Sequence, residues 1–163
     1  MEIYILRHGI AEEAHGGMKD ADRALTPEGA KKLQSVLRRA RTVDVQPSII
    51  VTSPYRRAKE TAQVAVEILR GAATLVENRA LIPESSPEAV WEAIRAHKGE
   101  PQLMLVGHEP LLSAVYAYLL GSPTVQIDVK KGSLGRIDMD RIGAQPRGVL
   151  RWLIYPKLAG DSG

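Results

Sequence analysis

Cysteine and phenylalanine are absent from the 163 residues of this sequence, and Trp and Tyr together number only 2 and 5. Without cysteine the chain has no disulfide framework, no thiolate zinc site and no cysteine nucleophile. So few aromatics leave no evident platform on which nucleic-acid bases would stack. Long apolar runs are missing too, and none approaches the ~18 residues that a membrane span needs. Arg7 interrupts the N-terminal run Ile3-Tyr4-Ile5-Leu6 too early for the apolar stretch of a signal peptide. The expectation is a cytoplasmic protein with neither a membrane nor a nucleic-acid partner.

What is present is the composition of an ordinary folded domain, 44% hydrophobic and 25% charged. That excludes a disordered or collagenous chain. Domains mostly run about 100–200 residues, so residues 1–158 read as one domain and residues 159–163 as a frayed tail. The net charge of +3 permits an anionic partner without naming one. The basic pairs Lys31-Lys32, Arg38-Arg39, Arg56-Arg57 and Lys130-Lys131 are scattered and read mostly as solvated helix faces.

Residues 3–6, 49–51, 75–76 and 103–106 are nearly continuous in Ile, Leu and Val, the pattern of parallel strands covered on both faces. Helical stretches separate them. Residues 27–41 place Ala30, Leu33, Leu37 and Ala40 on one face, and residues 54–70 do the same with Ala58, Ala62, Ala65 and Leu69. Residues 87–97 carry Val90, Trp91 and Ile94, and residues 110–120 are apolar nearly all round, which predicts a buried helix. Helix starts are marked by Thr26-Pro27, Ser53-Pro54, Ser86-Pro87 and Glu109-Pro110. A hydroxyl caps free N–H groups there, and Pro has no N–H to lose in the first turn. Beyond Gly121 the pattern alternates through Val125/Ile127/Val129 and Ile137/Met139, and residues 149–155 are apolar again. These predict antiparallel or edge strands. The fold class is therefore α/β, a three-layer α/β/α sandwich around a mostly parallel sheet with antiparallel edge strands.

Three polar clusters stand where strands end and helices begin: Arg7-His8-Gly9, Ser53 to Arg57, and Gly107-His108-Glu109. Ligands of open α/β sheets bind beyond the carboxyl ends of strands, so these clusters can converge. Histidines and arginines meeting in one pocket suit a tetrahedral oxyanion such as phosphate, and helix N-termini add oriented N–H groups. His15, in a Gly-rich loop, and His97, near a helix end, read instead as structural. Glu12 and Glu13 read as loop surface, Asp22 and Arg23 as a structural pair, and Arg38-Arg39-Arg41 as a solvated helix end.

The motifs LRHGIAEE (6–13), LTPEG (25–29), TSPYRRAKETA (52–62) and VGHEP (106–110), in that order, resemble the histidine phosphatase superfamily, the phosphoglycerate mutase-like proteins. DRALTPEG (22–29), KKGSLGRI (130–137) and RWLIYP (151–156) extend the resemblance to its bacterial phosphohistidine phosphatase branch. The resemblance implies that His8 is the nucleophile and that Arg7, Arg57 and His108 bind phosphate. Arg57 directly precedes Ala58, as the family pattern requires, so Arg56 is left to the solvent or the pocket rim. Glu84 of LIPESSPE is the nearest candidate for an acid, and Ser133, after Gly132, for a backbone N–H near the phosphate, although a tight turn explains that pair equally well.

The same resemblance implies metal-independent hydrolysis of phosphohistidine on a phosphorylated histidine-carrier protein of a phosphorelay. No cofactor is implied, and no carboxylate cluster suits Mg²⁺. The stretch between Ala62 and Gly107 leaves little room for an insertion that would enclose a small substrate. The alternatives are a phosphatase for small phosphate esters and a non-catalytic phosphate-binding module.

Overall fold

Ile3, Tyr4, Ile5 and Leu6 send alternate side chains to opposite faces of one strand, yet all are fully buried, so both faces of that strand are covered. In the computed structural model, which describes residues 1–160, this strand is β1 (Glu2–Arg7), and it lies inside a six-stranded sheet. The chain continues through α1 (Pro27–Arg41), β2 (Ile49–Thr52), α2 (Arg56–Leu69), β3 (Thr74–Glu77) and α3 (Pro87–Arg95). It ends through β4 (Gln102–Gly107), α4 (Leu111–Leu119), β5 (Leu134–Asp138), β6 (Val149–Ile154) and α5 (Pro156–Ala159).

The strand order is β3-β2-β4-β1-β5-β6. The first four are parallel, β5 runs antiparallel to β1, and β6 runs antiparallel to β5. Tyr4, Leu6, Ile50, Met104 and Val106 pack against α1 and α2 on one face. Ile3, Ile5, Val51, Leu103 and Leu105 pack against α3 and α4 on the other. The result is the expected α/β/α sandwich, with a mixed sheet and antiparallel strands toward one edge.

Strand register positions the site. Arg7 of β1 lies opposite Gly107 of β4, and Thr52 of β2 lies opposite Val106 of β4. The carboxyl ends of three neighbouring strands are thus level, and the residues that follow them must emerge side by side.

Several expectations shift. α2 begins at Arg56 rather than Pro54, because Ser53 is fully buried and its hydroxyl is engaged beside the strand ends instead of capping the helix. Thr26 and Ser86 do cap α1 and α3, accepting from Gly29 N and Ala89 N. α3 stops at Arg95 and α4 spans Leu111–Leu119, each shorter than the apolar pattern suggests. β3 is an edge strand with Leu75 39% exposed, so its apolar run does not signal burial. Residues 125–129 form no strand. Alternation reports that one side is covered, whereas a strand also needs a backbone neighbour. Ala159 is buried at the end of α5, so the expected frayed tail does not begin there, and residues 161–163 lie outside the described residues.

Gly29, in the first turn of α1, lies against the loop that follows His8. A Cβ built there would stand 2.4 Å from the Ile10 carbonyl oxygen and 2.8 Å from its nitrogen. A Cβ at Gly143 would meet nothing within 4 Å. Gly29→Ala is expected to cost about 1–3 kcal/mol through overpacking, whereas Gly143→Ala is expected to be neutral or nearly so. Urea unfolding of both variants checks this, and equal stabilities would show that α1 does not clamp the loop.

Candidate active site

The sheet ladder runs one residue past the strands: His8 N donates to Gly107 O at 3.1 Å, and Ser53 N donates to Val106 O at 3.0 Å. His8 and Ser53 are consequently held by backbone bonds at adjacent strand ends, His108 follows the acceptor Gly107 directly, and all three are buried. The rings of His8 and His108 lie 5.0 Å apart between centroids.

His8 Nδ1 lies 2.7 Å from the Gly9 carbonyl oxygen, which can only accept, so Nδ1 carries the proton in the neutral ring. Nε2 is left with its lone pair. Arg57 Nε points at that atom from 3.4 Å, a donor facing an acceptor. The motif helix α2 delivers Arg57 to this place although the residue is 4% exposed, and Thr61 ties the helix to the loop. Thr61 Oγ1 accepts from Gly9 N at 3.2 Å and donates to Arg57 O at 2.7 Å.

A buried guanidinium needs a counter-charge. Asp20 supplies it, accepting Arg57 Nη2 on Oδ2 at 3.1 Å and Arg57 Nη1 on its backbone carbonyl at 2.8 Å. Bonds from Arg23, and then from Arg57, hold the Asp20 carboxyl below its usual range, so it remains charged. Asp20 belongs to no motif noticed in the sequence, and only the fold reveals its proximity to Arg57. Arg23 pairs with Asp20 at 2.8 Å rather than with its neighbour Asp22. The short 3-10 turn Asp20–Asp22 explains the difference, since residues three apart eclipse one another there.

His108 Nε2 lies 2.8 Å from Ser53 Oγ, and Ser53 Oγ accepts from Tyr55 N at 3.2 Å, which leaves the Ser53 hydroxyl proton for Nε2 and places the proton of a neutral His108 ring on Nδ1. His108 Nδ1 is buried without a partner among the described residues. The Tyr55 ring meets the His108 ring edge-on at 5.0 Å, and the Arg57 guanidinium carbon lies 5.2 Å from the Tyr55 ring centroid. Ser53 and Tyr55 are thus members of the site that sequence reasoning placed in a helix start. Glu84 is exposed and reaches the cluster only through Tyr55, whose hydroxyl donates to Glu84 Oε2 at 3.3 Å.

Arg7 is anchored by a 2.7 Å bond from Nη1 to the carbonyl of Val129, while its buried Nε has no partner among the described residues. The irregular segment before Lys130 therefore has a role as a clamp on Arg7. The backbone N–H groups of the Gly132-Ser133 turn are already engaged. Gly132 N donates to Arg7 O and His8 O, and Ser133 N donates to Lys130 O. The backbone donor expected of Ser133 is therefore not free, and only its buried Oγ lacks a partner among the described residues.

Other sequence assignments resolve simply. Arg56 is exposed and pairs with Glu60 at 3.3 Å. His15 is exposed and His97 half-buried, both away from the cluster. Glu13 is surface, but Glu12 braces the loop by accepting from Ala24 N at 3.0 Å. Arg41 donates to Ile68 O at 3.1 Å and Arg39 to Ala159 O at 3.5 Å, so the basic end of α1 is tied to α2 and α5 rather than merely solvated. Among the described residues no three His, Asp or Glu side chains are grouped to hold a metal ion, and no helix is long and apolar enough to cross a membrane.

Burial pushes the imidazoles toward neutrality. His8 is lowered to about 3, mainly by desolvation, with the Arg57 and Arg7 charges adding to it and the Gly9 bond opposing. His108 is lowered to about 2 by desolvation, then by His8 and Arg57. An unfolded histidine takes up a proton below about pH 6.5, whereas these two resist it until far lower. Stability is therefore full above that pH and falls as pH drops from about 6.5 toward 3. Urea midpoints at about pH 7.5 and about pH 4.5 are expected to differ less in a His8→Gln/His108→Gln variant than in the parent chain. Equal acid sensitivity would place the titrating groups elsewhere.

Comparison with known proteins agrees with this geometry. Residues 3–82 match the histidine phosphatase superfamily (branch 1). An uncharacterized protein of Picosynechococcus sp. strain PCC 7002 is 32% identical over 162 residues, covering 96% of this chain and 98% of that one. The protein histidine phosphatase SixA, solved in complex with tungstate, superposes with a TM-score of 0.81 at 22% identity, covering 98% of this chain and 100% of that one. The alpha-ribazole phosphatase of Shigella flexneri gives a TM-score of 0.71 at 17% identity, covering 96% and 97% of the two chains. With an Arg-His-Gly turn closing the first strand, and with its motifs gathered at one end of the sheet, the chain belongs to the histidine phosphatase superfamily.

Proposed function

We propose that the protein hydrolyses phosphohistidine on a signalling protein of a phosphorelay, through a phosphoryl group carried transiently on His8. The observation that carries this reading is the state of His8. Its Nδ1 proton is held by Gly9 O, and its Nε2 lone pair faces Arg57 in a buried cationic pocket. A neutral imidazole with a fixed tautomer is a competent nucleophile toward phosphorus.

Nε2 attacks the phosphorus as the bond to the substrate imidazole breaks, and the departing imidazole takes its proton from solvent. Water then attacks the phosphorylated His8, the new P–N bond breaks with its electron pair returning to Nε2, and inorganic phosphate leaves as the water proton passes to solvent. Arg57 and Arg7 neutralise the phosphoryl oxygens through both transfers, and the neutral His108 ring contributes a hydrogen bond. The unpartnered Arg7 Nε and His108 Nδ1 are suited to that task, since each is a buried group with unused hydrogen-bonding capacity.

Support for a protein substrate is twofold. The chain resembles the protein histidine phosphatase SixA in fold, and that protein was solved with an oxyanion, tungstate. Glu84 stands at the rim, bonded to Tyr55, and makes no contact with His8. Expelling an alkoxide needs a positioned acid, whereas imidazole leaves far more easily. The second reading, a phosphatase for small esters, is favoured by the fold shared with alpha-ribazole phosphatase.

Hydrolysis of a phosphorylated histidine-carrier protein, compared with small esters, tests the proposal directly, and acid-labile phosphate should be trapped on His8 and not in His8→Ala. Arg57→Ala is expected to lower turnover by about 10²–10³, the usual cost of losing a preorganised charged donor, while Arg56→Ala should stay within about threefold of the parent. Similar losses from the two would contradict the assignment. Glu84→Gln should leave kcat/KM for phosphohistidine nearly unchanged and depress that for alkyl phosphates; an equal collapse of both would favour the small-ester reading. Because the arginines supply the charge, activity should persist in EDTA, and restoration by added Mg²⁺ or Zn²⁺ after its loss would count against the mechanism.

A further inference from the structure

Arg7 faces two ways. Besides the His8 pocket it lines an open groove of about 820 Å³ whose other charged walls are Lys32, Lys130, Lys131, Lys157 and Asp128. The lysines come from distant parts of the chain: Lys32 from α1, Lys130 and Lys131 from the turn before β5, and Lys157 from α5. Two of them are matched locally, Lys130 by Asp128 at 2.9 Å and Lys32 by Glu28 at 3.1 Å. Lys131 and Lys157 are exposed and have no carboxylate partner among the described residues. Gathering like charges in one groove opposes folding, and it leaves a positive field in a groove that shares Arg7 with the site.

The groove is rigidly joined to the reacting centre. Gly132, the residue after Lys131, donates its N–H to the carbonyls of Arg7 and His8 at 3.2 and 3.1 Å. Its left-handed backbone, with φ of +76°, and a Cβ position 3.1 Å from the Pro156 ring join the lysine turn to the residue before Lys157. A phosphoryl group at His8 would bring whatever surrounds it in the substrate over these lysines.

We propose that the groove docks an acidic protein surface flanking the phosphohistidine, so that this enzyme selects carriers whose phosphorylated histidine is bordered by Asp or Glu. The inference rests on the phosphohistidine reading above. Exposed lysines act through charge and flexible reach rather than shape, which suits a variable acidic surface and makes recognition sensitive to salt.

The test uses the full chain, a Lys131→Glu/Lys157→Glu variant and three substrates. These are a phosphohistidine peptide flanked by Glu, the same peptide flanked by Gln, and p-nitrophenyl phosphate. The parent chain should favour the Glu peptide by about tenfold in kcat/KM, through KM, and lose that preference as salt rises. The variant should lose or reverse the preference while its activity on p-nitrophenyl phosphate stays within about twofold. Equal use of the two peptides by the parent chain would overturn the docking inference and leave the phosphohistidine reading standing. Cleavage of p-nitrophenyl phosphate but of neither peptide would overturn both. A sugar bisphosphate that inhibits the parent chain better than its monophosphate, and loses that advantage in the variant, would assign the groove to a second phosphate group and overturn the protein-docking inference.

Discussion

Parallel pairing of β1 with β4, and of β4 with β2, is the constraint from which the remaining features follow. It brings Arg7 opposite Gly107 and Thr52 opposite Val106, so chain segments far apart in sequence leave the sheet at one level. Both faces of these strands are apolar because helices cover both, and only the strand ends are free to carry polar groups. Chemistry is therefore confined to one end of the sheet. The backbone bonds from His8 N to Gly107 O and from Ser53 N to Val106 O then place the polar residues with the precision of a sheet ladder.

Charge balance is the second organising feature. Arg57 is 4% exposed and tolerates burial because Asp20 and the Asp20 carbonyl accept from its guanidinium. The half-exposed position of Asp20 leaves that counter-charge near solvent, so the site retains its attraction for an anion. Burial meanwhile holds both imidazoles neutral, which keeps the His8 lone pair available and avoids adding further cations to a pocket that already holds two arginines. Desolvation costs stability in acid and leaves the His8 lone pair free near neutrality.

On the proposed reading, substrate choice belongs to the rim. The fold is shared with a protein histidine phosphatase and with an alpha-ribazole phosphatase, so the sheet and its motifs do not select between a protein and a small molecule. The chemistry that this chain offers at the edges of the pocket is Glu84, reached through Tyr55 on one side, and the lysine groove, reached through Arg7 on the other. Long exposed side chains at such edges can change partners without disturbing the ladder beneath them.

Much of the fold was legible in the sequence because burial on both faces writes continuous apolar strands, and hydroxyl-proline pairs write helix starts. Residues 3–6 and 103–106, and the caps at Thr26 and Ser86, follow those rules directly. The motifs likewise singled out Arg7, His8, Arg57 and His108, since each lies beside a strand end or in the helix that follows one. Patterning failed where one signal serves two masters. Ser53 has the hydroxyl of a cap but gives it to His108, and residues 125–129 alternate without a neighbouring strand, instead offering Val129 O to Arg7. Asp20 and the convergence of Lys32, Lys131 and Lys157 were decided only by the tertiary structure. A side chain's local sequence encodes its own burial and backbone preference, but which distant charge it meets depends on how the loops close over the strand ends.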